Sequence, residues 1–170
     1  MMGLGVKLAI FYMMRNKINP ETNSRGSIIC TASSAGVYGF HVAPLYAASK
    51  HAIVGLVRSL WRYLEKENIQ INALAPGVIG LFLFSSNFMG ILLTNWAATN
   101  IAPDKALFKS MYTTPMSTAI NAVEKLLGDT SLTGRVVELH GPDFSFAEQK
   151  EFADEGTKNN IEMFWKLGYA

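Results

Sequence analysis

Tyr46 and Lys50 are the residues of this chain whose types and spacing point most directly to chemistry. A tyrosine and a lysine at positions i and i+4 share one face of a helix. Because an ammonium beside a phenol favours the phenolate form, Tyr46 would be a proton donor and acceptor that Lys50 tunes. Ser33, thirteen positions before Tyr46, would add a hydroxyl that hydrogen-bonds a carbonyl oxygen. Together the three residues predict a proton donor, its tuner and a carbonyl polariser.

The composition favours one globular domain and gives no sign of a nucleic-acid or metal site. Of the 170 residues, 49% are hydrophobic and 16% are charged, and the net charge is +2. Because the basic residues do not cluster, we expect no nucleic-acid partner. The single cysteine, Cys30, excludes an internal disulfide and predicts a reducing, cytoplasmic location, with a buried and inert thiol. The cysteine and the three histidines lack metal-ligand spacing, so we expect no metal site.

Two apolar stretches resemble membrane signals without their defining features. Residues 1–14 have neither a basic leading region nor a small-residue cleavage site, and they predict an amphipathic or buried helix. Residues 68–103 carry no charge, but Pro76, Gly77 and Gly80 interrupt them. We therefore expect no membrane span. A weaker alternative is a protein that lies on a membrane surface through residues 78–93.

Alternating strands and helices would position the candidate residues. Helical periodicity predicts helices over residues 3–16, 44–66, 116–127 and 161–167. Short apolar runs predict strands over residues 27–32, 69–74 and 135–140. This alternation is typical of an α/β fold with a parallel sheet and right-handed crossovers. Ser33 then follows the first strand, and Tyr46 and Lys50 lie at the start of the second helix.

Three motifs in this order resemble the C-terminal half of a short-chain dehydrogenase/reductase. They are the strand from Gly26 to Ser33, the pair Tyr46-x-x-x-Lys50, and the segment Ile71-Asn72-Ala73-Leu74-Ala75-Pro76-Gly77. The resemblance covers about residues 3–141 and is nearest to secondary-alcohol dehydrogenases similar to 15-hydroxyprostaglandin dehydrogenase, or to fungal and plant relatives. It implies a partial Rossmann-type, three-layer α/β fold, with about three parallel strands and flanking helices.

The resemblance also implies an activity, which is the NAD(P)-dependent oxidoreduction of a hydroxyl/carbonyl pair on a small, fairly apolar alcohol or ketone. Tyr46 would be the acid/base and would also contribute to cofactor binding. Lys50 would tune Tyr46 and bind the nicotinamide ribose. Ser33 would orient the carbonyl, with Ser34 as the alternative. The cofactor would be NAD or NADP, and the sequence does not distinguish between them.

The resemblance also implies a role for the segment that follows the strand at residues 69–74. Pro76 and Gly77 would pass beside the nicotinamide, and the Val78 backbone would lie near its carboxamide. Residues 81–93 form an apolar segment that would cover the substrate, fill the core or remain as bare surface. His41 and His51 lie near the candidate site, and we expect them to be solvated rather than ligands.

The family's N-terminal nucleotide-binding half has no counterpart in these residues. No G-x-x-x-G-x-G turn is present, the family's helical Asn aligns with Met2, and its Thr after the Pro-Gly pair is Leu81. We expect residues 1–143 to form the C-terminal part of a truncated Rossmann domain, with residues 144–170 as a tail. We also expect cofactor binding and activity to be impaired. The alternative is an inactive remnant, or a subunit that binds a full-length relative.

The absent half would also leave the strand that ends at Ala32 at the edge of the sheet. An exposed strand edge is a template for pairing with another chain. We therefore expect a homo-oligomer, pairing with a relative, or aggregation. Trp61 and Tyr63 would face a partner helix or pack within the domain.

Overall fold

The structure is a computed structural model that describes residues 2–80 and 112–166. In chain order its elements are α1 (Met2–Met13), β1 (Gly26–Thr31), a 3-10 turn (Ser34–Gly36), α2 (Pro44–Lys66), β2 (Ile69–Pro76), β3 (Ile79–Gly80), β4 (Thr114–Pro115), α3 (Met116–Gly128), β5 (Val136–His140), β6 (Asp143–Phe146) and α4 (Glu155–Lys166). No helix within these two ranges is long and apolar enough to cross a membrane.

A four-stranded sheet in the order β1-β2-β5-β6 forms the centre of the fold. The first three strands are parallel, and β6 is antiparallel to β5. The predicted α/β class and its three parallel strands are therefore confirmed. Among the strands in residues 2–80 and 112–166, β1 lies at the edge of the sheet, as expected. The sequence analysis missed β6. Gly141 has a positive φ of 53°, which lets the chain reverse after β5, and the residues of β6 are mostly exposed, so they carry little strand pattern.

Helices cover both faces of the sheet. On one face α1 and α2 bury Val6, Val54 and Val57 against the strands. On the other face α3 buries Ala122 and Leu126 against β5. The apolar periodicity of α2 arises from this arrangement, because its buried side chains must repeat every helical turn to meet the sheet.

Two buried amide side chains join β2 to the end of α3 and to the turn before β5. Gln70 Nε2 donates to the carbonyls of Leu126 and Leu132, at 2.7 Å in each case. Asn72 Nδ2 donates to the Leu132 carbonyl at 2.6 Å, while its Oδ1 accepts from the Arg135 N–H at 2.8 Å. These bonds fix the register in which β5 lies beside β2.

Several predicted boundaries differ from the observed ones. Helix α1 ends at Met13, since Arg15 N and Asn16 N turn back to the carbonyls of Tyr12 and Met13. Helix α4 begins at Glu155 rather than at residue 161, because the carboxylate of Asp154 accepts from the Thr157 N–H at 2.7 Å. The predictions for residues 81–93 and for Leu81 lie outside the described residues.

Candidate active site

Ser33 lies where β1 ends, which places its hydroxyl at the carboxyl edge of the parallel sheet. Its backbone is extended, and its side chain is buried at 9% exposure. The Oγ atom accepts from the Ala35 N–H at 3.2 Å and so begins the 3-10 turn. The same oxygen donates a long hydrogen bond of 3.5 Å to the Pro76 carbonyl. Ser33 therefore joins the end of β1 to the end of β2.

Tyr46 and Lys50 occupy the first two turns of α2, and both side chains are half-buried. Proline is at the first helical position, where its lack of an N–H costs nothing. The Lys50 Nζ atom donates to the carbonyl of Thr31 at 3.0 Å and lies 5.6 Å from the centre of the Tyr46 ring. The last carbonyl of β1 thus holds the ammonium beside the phenol.

The three predicted residues are joined through backbone carbonyls rather than directly. Within the described part of the chain, no hydrogen bond connects the Ser33 hydroxyl to Tyr46 or Lys50. Instead, Thr31 binds Lys50 and Pro76 binds Ser33. Sequence reasoning missed Thr31 because its contribution is a main-chain carbonyl, which no side-chain motif encodes.

The Pro-Gly segment that follows β2 lies next to this cluster. The Gly77 N–H donates to the Leu139 carbonyl at 3.4 Å, and the Val78 carbonyl accepts from the Thr114 N–H at 2.8 Å. The segment is therefore tied to β5 on one side and to β4 on the other. Pro76, Gly77 and Val78 thus lie at the carboxyl ends of the strands, where ligands of open α/β sheets bind.

The remaining polar residues near the cluster have ordinary structural roles. Ser34 accepts from the N–H groups of Val37 and Tyr38 through its carbonyl. His51 places Nδ1 2.9 Å from the Ala47 carbonyl of its own helix, and His41 is exposed. Within residues 2–80 and 112–166, no group of three His, Cys, Asp or Glu side chains has a metal-binding arrangement.

Two titratable groups on β1 and in the loop after it have shifted pKa values. Burial raises the pKa of the Cys30 thiol, which favours the unreactive protonated form. A hydrogen bond with Glu138, and the negative charge of that carboxylate, raise the pKa of Tyr38. Tyr38 lies in the loop between Ser33 and Tyr46, and sequence reasoning did not identify its pairing with a residue of β5.

Two grooves on the described part of the chain lie away from the cluster. One, of about 560 Å³, lies between α2 and the C-terminal segment, where Arg62 stacks on Trp165. The other, of about 510 Å³, lies near Arg25 at the opposite end of the strands. Neither is lined by Ser33, Tyr46 or Lys50. The candidate site rests on the geometry of its side chains and not on an enclosed cavity.

Comparison with known proteins places the chain among dehydrogenases. Residues 5–90, just over half of the chain, match the family model described as short chain dehydrogenase. The chain is 27% identical over 155 residues to the short-chain dehydrogenase/reductase prx7 of Penicillium rubens, covering 85% of this chain and 52% of that protein. It is 47% identical over 57 residues to cis-2,3-dihydrobiphenyl-2,3-diol dehydrogenase of Rhodococcus globerulus, covering 34% of this chain and 20% of that protein.

A solved structure shares the fold. The crystal structure of 3-hydroxyacyl-CoA dehydrogenase type-2 from Mycobacterium avium has a TM-score of 0.58 and 21% sequence identity, covering 86% of this chain and 52% of that one. The chain thus spans about half the length of prx7 and of this structure. The resemblance to 15-hydroxyprostaglandin dehydrogenase in particular stays a prediction. The chain belongs to the short-chain dehydrogenase/reductase family.

Proposed function

We propose that the chain carries the acid–base half of an NAD(P)-dependent oxidoreductase that acts on the hydroxyl or carbonyl group of a small, fairly apolar molecule. The observation that supports this proposal is the pairing of Tyr46 and Lys50 at the carboxyl end of the sheet. There the Lys50 ammonium, held by the Thr31 carbonyl, lies beside the Tyr46 ring. Ser33 is connected to the same edge through Pro76.

Each residue has a defined role in the proposed reaction. The Tyr46 hydroxyl gives a proton to the carbonyl oxygen during reduction, or takes one from the alcohol during oxidation. The positive charge of Lys50, 5.6 Å from the centre of the Tyr46 ring, stabilises the negative charge that Tyr46 carries while its proton is on the substrate. The Ser33 hydroxyl donates to the substrate oxygen and polarises the carbonyl. The nicotinamide cofactor supplies or accepts the hydride.

The residues at this edge fit the nicotinamide end of such a cofactor. An ammonium has three N–H donors, so Lys50 can donate to ribose hydroxyls while it remains bound to Thr31. Pro76, Gly77 and Val78 provide a backbone surface beside it. The pyrophosphate end of a dinucleotide normally requires a glycine-rich turn, and the sequence contains no G-x-x-x-G-x-G. We therefore expect weak binding by this chain alone, with no basis for choosing between NAD and NADP.

The apolar character of the proposed substrate rests on the sequence. Residues 81–93 are rich in Leu, Phe and Ile and follow the Pro-Gly segment. The relative from Rhodococcus globerulus is named for cis-2,3-dihydrobiphenyl-2,3-diol, a diol on a largely hydrocarbon skeleton. The predicted boundary after residue 143 falls within β6, which pairs with β5 up to Phe146. We therefore propose in addition that the Rossmann part extends to residue 146 with the tail after it, and that the protein works in the cytoplasm.

Titration of the purified chain with NADH and NADPH tests the proposal, with energy transfer from tryptophan to the nicotinamide as the signal. The variant Lys50→Ala removes the proposed ribose ligand. Lys66→Ala is the matched control, because Lys66 is an exposed lysine at the other end of the same helix. We expect saturable binding that weakens in Lys50→Ala and is unchanged in Lys66→Ala. No binding at millimolar cofactor, or equal binding by both variants, would refute the proposal.

Two structural observations favour a second candidate, a subunit that pairs with another copy or with a relative. Strand β1 has only β2 beside it among the described strands, so one of its edges is open to pairing. Helix α1 also exposes an apolar stripe, since Leu4, Leu8, Phe11 and Tyr12 are 48–65% exposed. Exposed apolar stripes of this kind mark association surfaces.

Analytical ultracentrifugation of Leu8→Glu tests this second candidate. Leu127→Glu is the control, because Leu127 is an equally exposed leucine on α3 (51% against 48% for Leu8). We expect the parent chain and Leu127→Glu to associate and Leu8→Glu to dissociate. A parent chain that is monomeric at all concentrations would contradict pairing between identical copies.

A further inference from the structure

Gly36, the last residue of the 3-10 turn, lies against the backbone of α2 at Lys50. It is buried, and a Cβ atom placed on it would lie 2.7 Å from the Lys50 carbonyl oxygen and 2.8 Å from the carbonyl carbon. Cβ atoms essentially never approach other atoms this closely. Because these atoms belong to the backbone of a helix, they cannot rotate away as a side chain would.

The nearby glycines do not share this close approach to the helix backbone. Gly39, in the same loop, and Gly55, on the same helix, would each accept a Cβ atom with nothing within 4 Å. The φ angle of Gly36 lies outside the left-handed region, so its backbone conformation does not require glycine. Glycine is required at position 36 because the turn and helix α2 leave no room for a Cβ atom between them.

The segment from Thr31 to Gly36 contacts Lys50 at two points. The backbone of Lys50 contacts Gly36, and its ammonium donates to the Thr31 carbonyl at 3.0 Å. Ser33 belongs to the same segment, and its carbonyl accepts from the Gly36 N–H at 2.8 Å. A displacement at Gly36 would therefore change the position of Lys50 relative to Ser33 and also loosen the hold of Thr31 on the ammonium.

We propose that Gly36 is a positioning residue that sets the separation of Ser33 and Lys50 for the reaction proposed above, on which this inference rests. With alanine at position 36, the distance from its Cβ atom to the Lys50 carbonyl oxygen would have to increase from 2.7 Å to about 3.4 Å, where ordinary contact begins. Misplacement of reacting groups by roughly 1 Å costs up to about 100-fold in rate. We expect Gly36→Ala to lower kcat by about 10- to 100-fold, with a smaller change in KM.

The test compares Gly36→Ala with Gly39→Ala in the full chain. The first readout is the reduction of the apolar diketone camphorquinone with NADH or NADPH, as kcat and KM, with the rate expressed per folded molecule measured by circular dichroism. A displaced Lys50 changes the geometry in which the groups react, so Gly36→Ala should lower kcat by more than it raises KM, whereas Gly39→Ala should change neither. A loss of folded protein alone would leave the rate per folded molecule unchanged. An unchanged rate per folded molecule, or equal effects of the two variants, would overturn the inference.

The second readout needs neither cofactor nor turnover. Acetylation of lysines by a dilute anhydride, followed by mass spectrometry, compares Lys50 with exposed Lys66 on the same helix. In the parent chain Lys50 should react several-fold more slowly, and only Gly36→Ala should raise its rate. Equal rates for the two lysines in the parent chain would overturn the positioning role, even if Gly36→Ala failed to fold. If Lys50 were labelled slowly but the chain bound no cofactor, the positioning of Lys50 would stand and the proposed function would be contradicted.

Discussion

Replacement of Asn72 by alanine tests how the two amide side chains of β2 hold the sheet together. Asn72 is fully buried, donates to the Leu132 carbonyl at 2.6 Å and accepts from the Arg135 N–H at 2.8 Å. The substitution removes both bonds and leaves a small cavity between β2 and the turn before β5. Since the register of β5 depends on this turn, the substitution should lower the stability of the whole domain.

The magnitude follows from which groups lose their partners. The Leu132 carbonyl keeps a second donor, Gln70 Nε2 at 2.7 Å, so it stays satisfied. The part-buried Arg135 N–H loses its acceptor, and an unsatisfied donor of this kind costs about 1–3 kcal/mol. The lost packing adds roughly 1 kcal/mol. We expect Asn72→Ala to lower the free energy of unfolding by about 2–4 kcal/mol, a large part of the roughly 5–15 kcal/mol typical of a domain.

Urea unfolding followed by far-UV circular dichroism at low protein concentration measures this loss. Asn121→Ala is the matched control, because Asn121 is an exposed asparagine on α3. The control should change the free energy of unfolding by no more than about 0.5 kcal/mol. If Asn72→Ala unfolded at the same urea concentration as the control, the hydrogen bonds of Asn72 would not determine the register as argued.

Three further predictions concern other parts of the chain. Tyr46→Phe should retain cofactor binding and lose at least about 100-fold in turnover, because only the proton-transfer group is removed; titration and steady-state assays measure the two effects. Gly134→Ala should destabilise the fold, since its φ is 72° and a Cβ atom would lie 2.5 Å from the Trp61 ring; thermal unfolding reports this. Hydrogen bonds from Thr157 lower the pKa of Asp154 below its ordinary value of 3.8, so its carboxylate stabilises α4 above that value. The stabilisation of α4 by Asp154 should be lost as the pH falls through this lowered pKa, and the helical signal in circular dichroism measures the loss.

Each of these predictions has a control variant. Tyr63→Phe, on the same helix as Tyr46, should leave turnover unchanged. Gly55→Ala, where nothing lies within 4 Å of the added Cβ, should stabilise α2 by up to about 1 kcal/mol. Asp154→Asn should remove the acid-dependent step while it keeps an oxygen acceptor for the Thr157 N–H. An acid transition that persisted in Asp154→Asn would show that another carboxylate is responsible.

The sequence by itself determined the elements whose patterns are local. Helix α2 was predicted at residues 44–66 and begins and ends there, because a proline at its start and a continuous apolar stripe define it within its own residues. The three parallel strands were predicted from short apolar runs between helices. The spacing of Tyr46 and Lys50 also required no structure, since positions i and i+4 share a helix face in any fold.

Only the tertiary structure decided what holds those residues in place. The acceptor for Lys50 is the carbonyl of Thr31, nineteen positions away, and carbonyls carry no sequence signal. The need for glycine at position 36 arises from a helix backbone that approaches it from another part of the chain. Strand β6 was missed for a similar reason, because it depends on β5 for its hydrogen bonds rather than on an apolar pattern of its own. Local patterns specify helices and strands, whereas backbone partners are specified only once distant segments meet.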